Sequence, residues 1–138
     1  MSYWKTASNQ NPRAIAPAHR RHSGNAYEQL AADYLRSQGL DLISSNYQCK
    51  LGEIDLIMKH REMLVFVEVR YRLNSDFMSP IVSINSRKQN KLIRTAQVYL
   101  KQHHLTDAVP CRIDVVGITP LGGSYRFEWI PNAIQPGI

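Results

Sequence analysis

The sequence lacks any apolar stretch long enough to cross a membrane. Its two central apolar segments, residues 52–57 and 64–70, contain no uninterrupted aliphatic or aromatic run longer than residues 64–67, whereas a spanning helix needs about 20 apolar residues. The N-terminus also lacks the pattern of a signal peptide, because no apolar segment follows its basic residues. We therefore expect a cytoplasmic protein with no membrane partner.

Cysteine is scarce. Cys49 and Cys111 are the only two cysteines; they are far apart and neither belongs to a C-x-x-C pair. This spacing favours reduced thiols over a disulfide framework or a zinc site.

Acidic residues are fewer than basic ones, 11 against 17, which gives a net charge of +6. The basic residues are concentrated in two regions. Residues 1–24 contain four of them and no acid, and residues 70–101 contain seven and a single acid. This segregation predicts a polyanionic partner, of which nucleic acid is the commonest. The alternative is a basic helix face that meets only solvent.

The pattern of the chain predicts one domain after a tail. Residues 1–22 contain two prolines and no hydrophobic periodicity, so we expect a disordered basic tail, and residues 23–138 suffice for a single domain with a core. Helical spacing extends over residues 25–38 and 86–103. Strand-like segments occupy residues 40–48, 111–119 and 125–130, besides the two central segments. The order helix, three strands, helix, two strands predicts an α/β fold with a central mixed sheet.

A polar break at residues 60–62 separates the two central segments, which predicts a β-hairpin. With a two-residue loop, Asp55 pairs with Glu68 and Glu53 pairs with Arg70, and all four side chains share one face. Opposed carboxylates repel each other, and burying isolated ones is costly. Asp55 and Glu68 therefore need a shared proton or a divalent cation, and the cation is the more economical interpretation.

Three further charged residues are candidates to lie beside this carboxylate pair. Arg70 follows Glu68 on the same face and supplies a cation. Glu28 lies at the edge of the apolar stripe of the first helix, where a carboxylate either faces solvent or approaches the hairpin. Lys88 lies at the margin of the second helix's apolar face, from which a long side chain can reach past the core edge. Metal-dependent nucleases need such oxygen ligands together with a cation near the transition state.

Two further pairs of residues carry polar or aromatic groups near the predicted strands. For Arg112 and Asp114, a structural ion pair in the core strand is favoured over direct catalysis. Tyr71 and Arg72 can stack on a base or hold a phosphate, or they can have an ordinary loop role.

These segments resemble the restriction-endonuclease-like, or PD-(D/E)xK, superfamily, and more narrowly the YraN-like family of uncharacterised proteins. The resemblance extends from residue 24 to about residue 134. It rests on Gly24, Glu28 and Ala31, on residues 52–57 (GEIDLI) and 66–70 (FVEVR), on Lys88 and Ala96, and on residues 112–116 (RIDVV).

The resemblance implies a restriction-endonuclease-like α-β-β-β-α-β core and a nuclease that depends on Mg²⁺ or Mn²⁺. The implied metal ligands are Asp55, Glu68 and Glu28, and the implied catalytic residues are Asp55, Glu68, Arg70 and Lys88. Ile54 stands where the superfamily often has proline, which leaves the carboxylate chemistry intact. Arg70 stands where the superfamily has lysine. Arginine can stabilise an anionic transition state but cannot accept a proton, so Lys88 is the candidate substitute.

The expected function is metal-dependent hydrolysis of phosphodiester bonds in DNA, with branched or single-stranded forms as candidate substrates. The residues expected to bind the nucleic-acid backbone are Arg72, Arg87, Lys88 and Lys91. One alternative is a nucleic-acid-binding protein on a nuclease scaffold that no longer cuts, which Arg70 keeps open. Another is a structural or protein-interaction domain whose carboxylates share a proton. A homodimer is compatible with the resemblance, because many nucleases of this class pair to cut two strands.

Overall fold

The computed structural model of the protein describes residues 23–73 and 79–136. Its helices are α1 (Ser23–Ser37) and α2 (Ser86–Gln102), and its strands are β1 (Asp41–Cys49), β2 (Gly52–His60), β3 (Met63–Tyr71), β4 (Cys111–Leu121) and β5 (Ser124–Ile134). A short 3-10 helix, Pro80–Ser83, precedes α2. The expected tail, residues 1–22, lies outside the described residues, so its disorder stays a prediction.

The five strands form one mixed sheet in chain order, β1-β2-β3-β4-β5. Three neighbouring pairs are antiparallel, whereas β3 and β4 run parallel. A parallel pair needs a crossover connection, and α2 lies in that connection. The order α-β-β-β-α-β-β confirms the predicted α/β class and matches a restriction-endonuclease-like core.

Each face of the sheet packs against one helix. Ala31 and Leu35 of α1 belong to one buried apolar cluster, together with residues of β2, β3 and β4. Leu92 and Tyr99 of α2 belong to a second cluster, which includes Phe66 of β3. Burial of apolar surface, worth about 25 cal/mol per Å², is the main favourable term in such packing. The sheet is therefore held between α1 and α2, and either helix can place a side chain at its margin.

Local signals set the ends of both helices. Gly39 adopts a φ of +100° after α1, and the N–H of Leu40 donates to the carbonyl of Leu35 at 3.0 Å, which is a glycine C-terminal motif. Asn85 precedes α2, and its side chain accepts the N–H of Lys88 at 2.9 Å, as an N-cap residue does. This cap fixes the first turn of α2, which contains Lys88.

The predicted hairpin register is confirmed over most of its length. The β2–β3 ladder extends from His60 paired with Met63 to Ile57 paired with Phe66 and ends one pair further on, at residues 56 and 67.

The outer pairs of the predicted register, Asp55 with Glu68 and Glu53 with Arg70, lie beyond the end of the ladder, so this part of the prediction is wrong. Ile54 packs in the cluster under α2 and Leu56 in the cluster under α1, so strict alternation of side chains breaks at Asp55. At that break, Asp55 Oδ2 accepts a hydrogen bond from the backbone N–H of Val69 at 2.7 Å. A side chain therefore bonds to β3 where the ladder has stopped.

The start of β4 holds a buried polar network. Asp114 is fully buried and accepts hydrogen bonds from Arg112 Nε at 2.9 Å, from Trp129 Nε1 at 2.9 Å and from the N–H of Asn132 at 2.8 Å. Arg112 also lies 3.0 Å from His60 Nδ1. Arg112 and Asp114 thus form an ion pair within β4, as the structural interpretation predicted. The bonds that Asp114 accepts from Trp129 and Asn132 tie β4 to β5.

Neither described helix combines the length and the apolar character needed to pass through a membrane.

Candidate active site

A cavity of about 250 Å³ opens where β2 and β3 separate. Its walls are formed by Tyr27, Glu28, Asp55, Glu68, Val69, Arg70 and Tyr71. All three predicted metal ligands line this one cavity. Glu28 comes from α1, Asp55 from β2 and Glu68 from β3.

Backbone geometry and burial restrict the carboxyl groups. Asp55 is held by the N–H of Val69, and the side chain of Glu68 is only 5% exposed. Glu28 is half-buried on the face that α1 turns to the sheet. The carboxyl groups therefore have little water available to screen their charges.

Burial and mutual repulsion raise the proton affinity of these groups. The pKa of Glu28 is raised to about 8, first by burial and then by the charge of Asp55. The pKa of Glu68 is raised to about 8 by the same two causes, although the nearby Lys88 and Arg70 act in the opposite direction. Burial also raises the pKa of Asp55, and hydrogen bonds from Val69, Glu28 and Glu68 oppose this rise. At neutral pH, Glu28 and Glu68 therefore retain protons that exposed carboxyls would lose.

The donor set has the chemistry of a hard divalent cation site, because it consists of carboxylate oxygens whose negative charge is under-compensated. The side chains do not have the geometry of a coordination site: among residues 23–73 and 79–136, no group of three or more His, Cys, Asp or Glu side chains is arranged to hold a metal ion. The two observations agree, since repulsion acts over several ångströms, whereas coordination requires oxygens about 2.0–2.6 Å from one point. The three acids supply oxygen ligands of the type that a hard cation takes, and in the arrangement seen Glu28 and Glu68 hold protons.

Arg70 is held on both sides. Its NH1 lies 3.2 Å from Glu68 Oε2, while its NH2 donates to the carbonyl of Ser83 at 2.8 Å and its Nε donates to Ser83 Oγ at 3.1 Å. The 3-10 helix that carries Ser83 also includes Pro80, which packs on Gly117 of β4. The guanidinium is thus fixed beside the carboxylates by an element that the sheet itself positions.

Lys88 approaches the same carboxylate from α2. Its Nζ lies 3.8 Å from Glu68 Oε2, and its side chain is 36% exposed. Glu68 therefore lies between two cations, one from its own strand and one from the helix. The expectation that Lys88 can reach the site from the margin of α2 is confirmed in its geometry.

A second cavity, of about 260 Å³, has Lys88 in its wall, and Lys88 contacts Glu68 in the wall of the first. The second cavity is lined by Gln48, Cys49, Gly52, Glu53, Lys88, Lys91 and Leu92. Glu53, which was expected to pair with Arg70, lies here beside the two lysines, and its charge contributes to the raised pKa values of Glu28 and Asp55.

The residues predicted to bind nucleic acid occupy two environments. Arg87 and Lys91 are exposed and Lys88 is half-exposed, all in the first two turns of α2. The first turn contains no acid, although the helix dipole favours acids there, so this end of α2 is strongly positive. Arg72 differs, because it is only 15% exposed and lies 3.4 Å from Glu128. This ion pair gives Arg72 a structural partner, and its contact with nucleic acid stays a prediction.

Sequence comparison agrees with the resemblance noted from the motifs. The profile of Uncharacterised protein family UPF0102 matches residues 27–118, two thirds of the chain. A UPF0102 protein of Coxiella burnetii (strain RSA 331 / Henzerling II) is 49% identical over 108 residues, which is 78% of this chain and 88% of the relative. A UPF0102 protein of Nitrosococcus oceani is 49% identical over 121 residues, 88% of this chain and 98% of the relative. The chain belongs to family UPF0102.

The part of this UPF0102 chain that matches the family profile contains the whole candidate site. Glu28 is the second matched residue, and Asp55, Glu68, Arg70 and Lys88 all lie within residues 27–118. The cavity is therefore built from the segment by which membership of UPF0102 is defined.

Two residues of this UPF0102 site were not found by reasoning from the sequence. Ser83 precedes the helical spacing of residues 86–103 and belongs to no predicted element, although the nearby Pro80 is a signal for a helix start. Tyr27 lies within the helical spacing of residues 25–38, which predicts its place in a helix and not in a site. Its position in the cavity wall depends on how α1 packs on β3, which helical spacing does not specify.

Proposed function

We propose that this protein is a divalent-metal-dependent nuclease that hydrolyses phosphodiester bonds in DNA. The observation that carries the proposal is the convergence of Glu28, Asp55 and Glu68, from three different elements, in one cavity that two cations border. Burying three acids together is unfavourable unless positive charge or protons compensate them. A substrate-bound divalent ion is the compensation that this donor set suits.

The proposed metal ligands are Asp55 and Glu68, with Glu28 assisting. When bound, Mg²⁺ or Mn²⁺ would supply an activated water and would offset charge on the scissile phosphate. Binding requires Glu28 and Glu68 to release the protons they hold at neutral pH, and it requires the three side chains to turn towards a common point.

The two cations have different proposed roles. Arg70, fixed by Ser83 and Glu68, donates hydrogen bonds to the phosphate oxygens and cannot act as a base. Lys88 can donate to the same phosphate, and as a lysine it can also change its protonation state when desolvated. Arg87 and Lys91 extend the positive surface along α2, where they would bind the neighbouring phosphates of the strand.

The test is cleavage of labelled single-stranded, duplex, flap and four-way DNAs with Mg²⁺, with Mn²⁺ and with EDTA. We expect cleavage only with metal, and we expect Asp55→Asn and Glu68→Gln each to reduce its rate by about 10³-fold, the range found when a key charge-stabilising group is removed. Glu62→Gln is the matched control, because Glu62 is an exposed acid in the turn of the same hairpin. Cleavage that survives in EDTA or in Asp55→Asn would refute the proposal.

A second candidate function is nucleic-acid binding without cleavage on the same scaffold. Two observations favour it: Arg70 stands at the position of the superfamily's lysine, and the described acids do not form a finished metal cage. This alternative predicts that the unaltered protein binds DNA with a steep salt dependence and does not cut it. It also predicts that the Asp55→Asn variant binds DNA as tightly as the unaltered protein. Gain of cleavage in Arg70→Lys would then identify Arg70 as the reason for inactivity.

A further inference from the structure

Two aromatic rings form one wall of the carboxylate cavity. Tyr27 of α1 and Tyr71 of β3 stack with ring centroids 3.9 Å apart and an interplanar angle of 22°. Both residues line the same cavity as Glu28, Asp55 and Glu68. A flat aromatic surface therefore lies beside the acids that the proposed reaction uses.

The ring pair is fixed yet open. Both tyrosines contact the apolar cluster under α1, and both remain half-exposed. A hydrogen bond between the two side chains, the largest cause of the raised pKa of Tyr27, adds to the stacking in holding the rings together. A pre-ordered platform of this kind loses little conformational freedom when a third ring is added to it.

A second stacked aromatic pair also joins α1 to the sheet, but it lies away from the carboxylate cavity. Tyr34 of α1 stacks on Phe127 of β5 with centroids 4.6 Å apart, and neither ring lines the carboxylate cavity. The packing of α1 on the sheet is therefore enough to explain why an aromatic ring of the helix stacks on one of the sheet. It does not account for an open stack in the wall of an acidic cavity.

We propose that the Tyr27–Tyr71 pair is a base-stacking subsite that selects a nucleic-acid strand with an unpaired nucleotide next to the scissile phosphate. The inference rests on the proposed nuclease function and deepens it, because it names the substrate class. A base inside a duplex has both faces covered by its neighbours, whereas an unpaired base can offer a face to an aromatic side chain. Stacking of this kind accepts every base, so it selects for strand structure and not for sequence.

The test measures binding in EDTA, where cleavage cannot interfere. Probes are a fluorescein-labelled single strand of mixed sequence, the same strand with one abasic site moved along it, and a blunt-ended duplex of the same sequence, in which every base is paired. Base–aromatic stacking is worth about 1–3 kcal/mol, so Tyr71→Leu is expected to weaken single-strand binding about tenfold and duplex binding hardly at all. Tyr71→Phe keeps the ring and is expected to bind like the unaltered protein.

Tyr34→Leu is the matched control, since it removes a stacked tyrosine away from the cavity, on α1, the helix that carries Tyr27. Thermal unfolding of each variant verifies that the fold is retained. The abasic series needs no variant: in the unaltered protein, one abasic position is expected to cost about tenfold in affinity, and in Tyr71→Leu that cost disappears.

The outcomes separate this inference from the proposed function. If Tyr71→Leu weakens duplex and single-strand binding equally, or if no abasic position matters, the subsite is refuted, even where metal-dependent cleavage is present. If base-dependent binding is found but no cleavage occurs with metal, the subsite stands and the nuclease proposal fails. Failure of the unaltered protein to bind any probe would overturn the subsite, whereas only the cleavage assay with metal decides the nuclease proposal.

Discussion

Lys88 and Lys91 are one helical turn apart, yet only Lys88 reaches the carboxylates. Its Nζ lies 3.8 Å from Glu68 Oε2, whereas Lys91 is exposed and lines the neighbouring cavity. Under the proposed function, Lys88 would act at the reacting phosphate, whereas Lys91 would bind a neighbouring phosphate of the strand.

This difference predicts different kinetic effects for the two lysines. Lys88→Met should reduce single-turnover cleavage at saturating DNA by about 10²-fold, the lower range for loss of one preorganised charge. Lys91→Met should leave that rate unchanged and reduce by about one the slope of log affinity against log salt concentration, as expected when one phosphate contact is lost. Equal losses of rate in both variants would contradict the separate roles.

Asp114, like Glu68, is a buried acid, but its hydrogen-bond partners belong to the core and not to the cavity. Three donors satisfy it, one of them Arg112, which is only 15% exposed. Asp114→Ala should lower the free energy of unfolding by about 3–5 kcal/mol, the cost of leaving one member of a buried pair alone. Urea unfolding followed by circular dichroism measures this loss, and the exposed Asp41→Ala should stay within about 0.5 kcal/mol of the unaltered protein.

At the residue scale, the acids of the site could be predicted from the sequence. Asp55 and Glu68 interrupt apolar segments, and burial of such acids demands a compensating group. Lys88 could be predicted because it lies on the margin of a helical stripe. Ser83 could not, because its contact with Arg70 depends on where the 3-10 helix lies against β4, and that placement is a tertiary contact with no local periodicity.

At the scale of elements, the 3-10 helix connects β4 to the candidate active site, because it contacts β4 at one end and Arg70 at the other. A methyl group added at Gly117 would overlap Pro80 Cγ and would lie 3.0 Å from Pro80 Cβ. Ser83, three residues after Pro80, holds the guanidinium of Arg70. Glycine at 117 therefore allows the close approach on which the orientation of Arg70 depends.

We expect Gly117→Ala to displace this 3-10 helix. The free energy of unfolding should fall by about 1–3 kcal/mol, the usual cost of overpacking, and cleavage should fall with it because Arg70 loses its support. Urea unfolding and single-turnover cleavage measure the two effects. In the double variant, Pro80→Ala removes the Cγ that the new methyl group would overlap, so part of the lost stability and cleavage should return. If the effects of the two substitutions on the free energy of unfolding were simply additive, the contact between residues 80 and 117 would not be the cause.

The hairpin shows where register prediction stops. Loop length correctly predicted the pairs from residues 60 and 63 to residues 57 and 66, because a two-residue turn fixes the first pairs of a hairpin. The break at Asp55 follows from a different cause. Ile54 and Leu56 are both fully buried but lie in clusters on opposite faces, and an apolar pattern does not reveal which of two cores each residue joins.

At the scale of the whole molecule, the acid cluster couples stability to pH. The pKa values of Glu28 and Glu68 are about 8 in the folded protein and near 4.5 for a free side chain. The folded protein therefore binds more protons than the unfolded chain between these values, so its stability is greatest below about pH 4.5 as far as these groups are concerned, and it falls as pH rises through 8.

Without metal, we expect the free energy of unfolding to fall by an amount on the order of 3 kcal/mol from pH 5 to pH 8.5, mostly through Glu68, because solvent screens the half-buried Glu28. Mg²⁺ competes with these protons and should raise the melting temperature more at pH 8.5 than at pH 5.5. Differential scanning fluorimetry measures both trends. Asp55→Asn should flatten the pH dependence, and an unchanged slope in that variant would contradict the coupling of the three acids.

The strand order has a kinetic consequence. Each strand pairs with its neighbour in the chain, and only the parallel pairing of β3 with β4 must wait for a crossover to close. The three acids precede that crossover, while Lys88 lies within it. Long-range parallel pairing is formed slowly compared with hairpins, so during refolding the acids can assemble before the lysine arrives. Recovery of the proposed cleavage during refolding should therefore follow the closing of the β3–β4 pair.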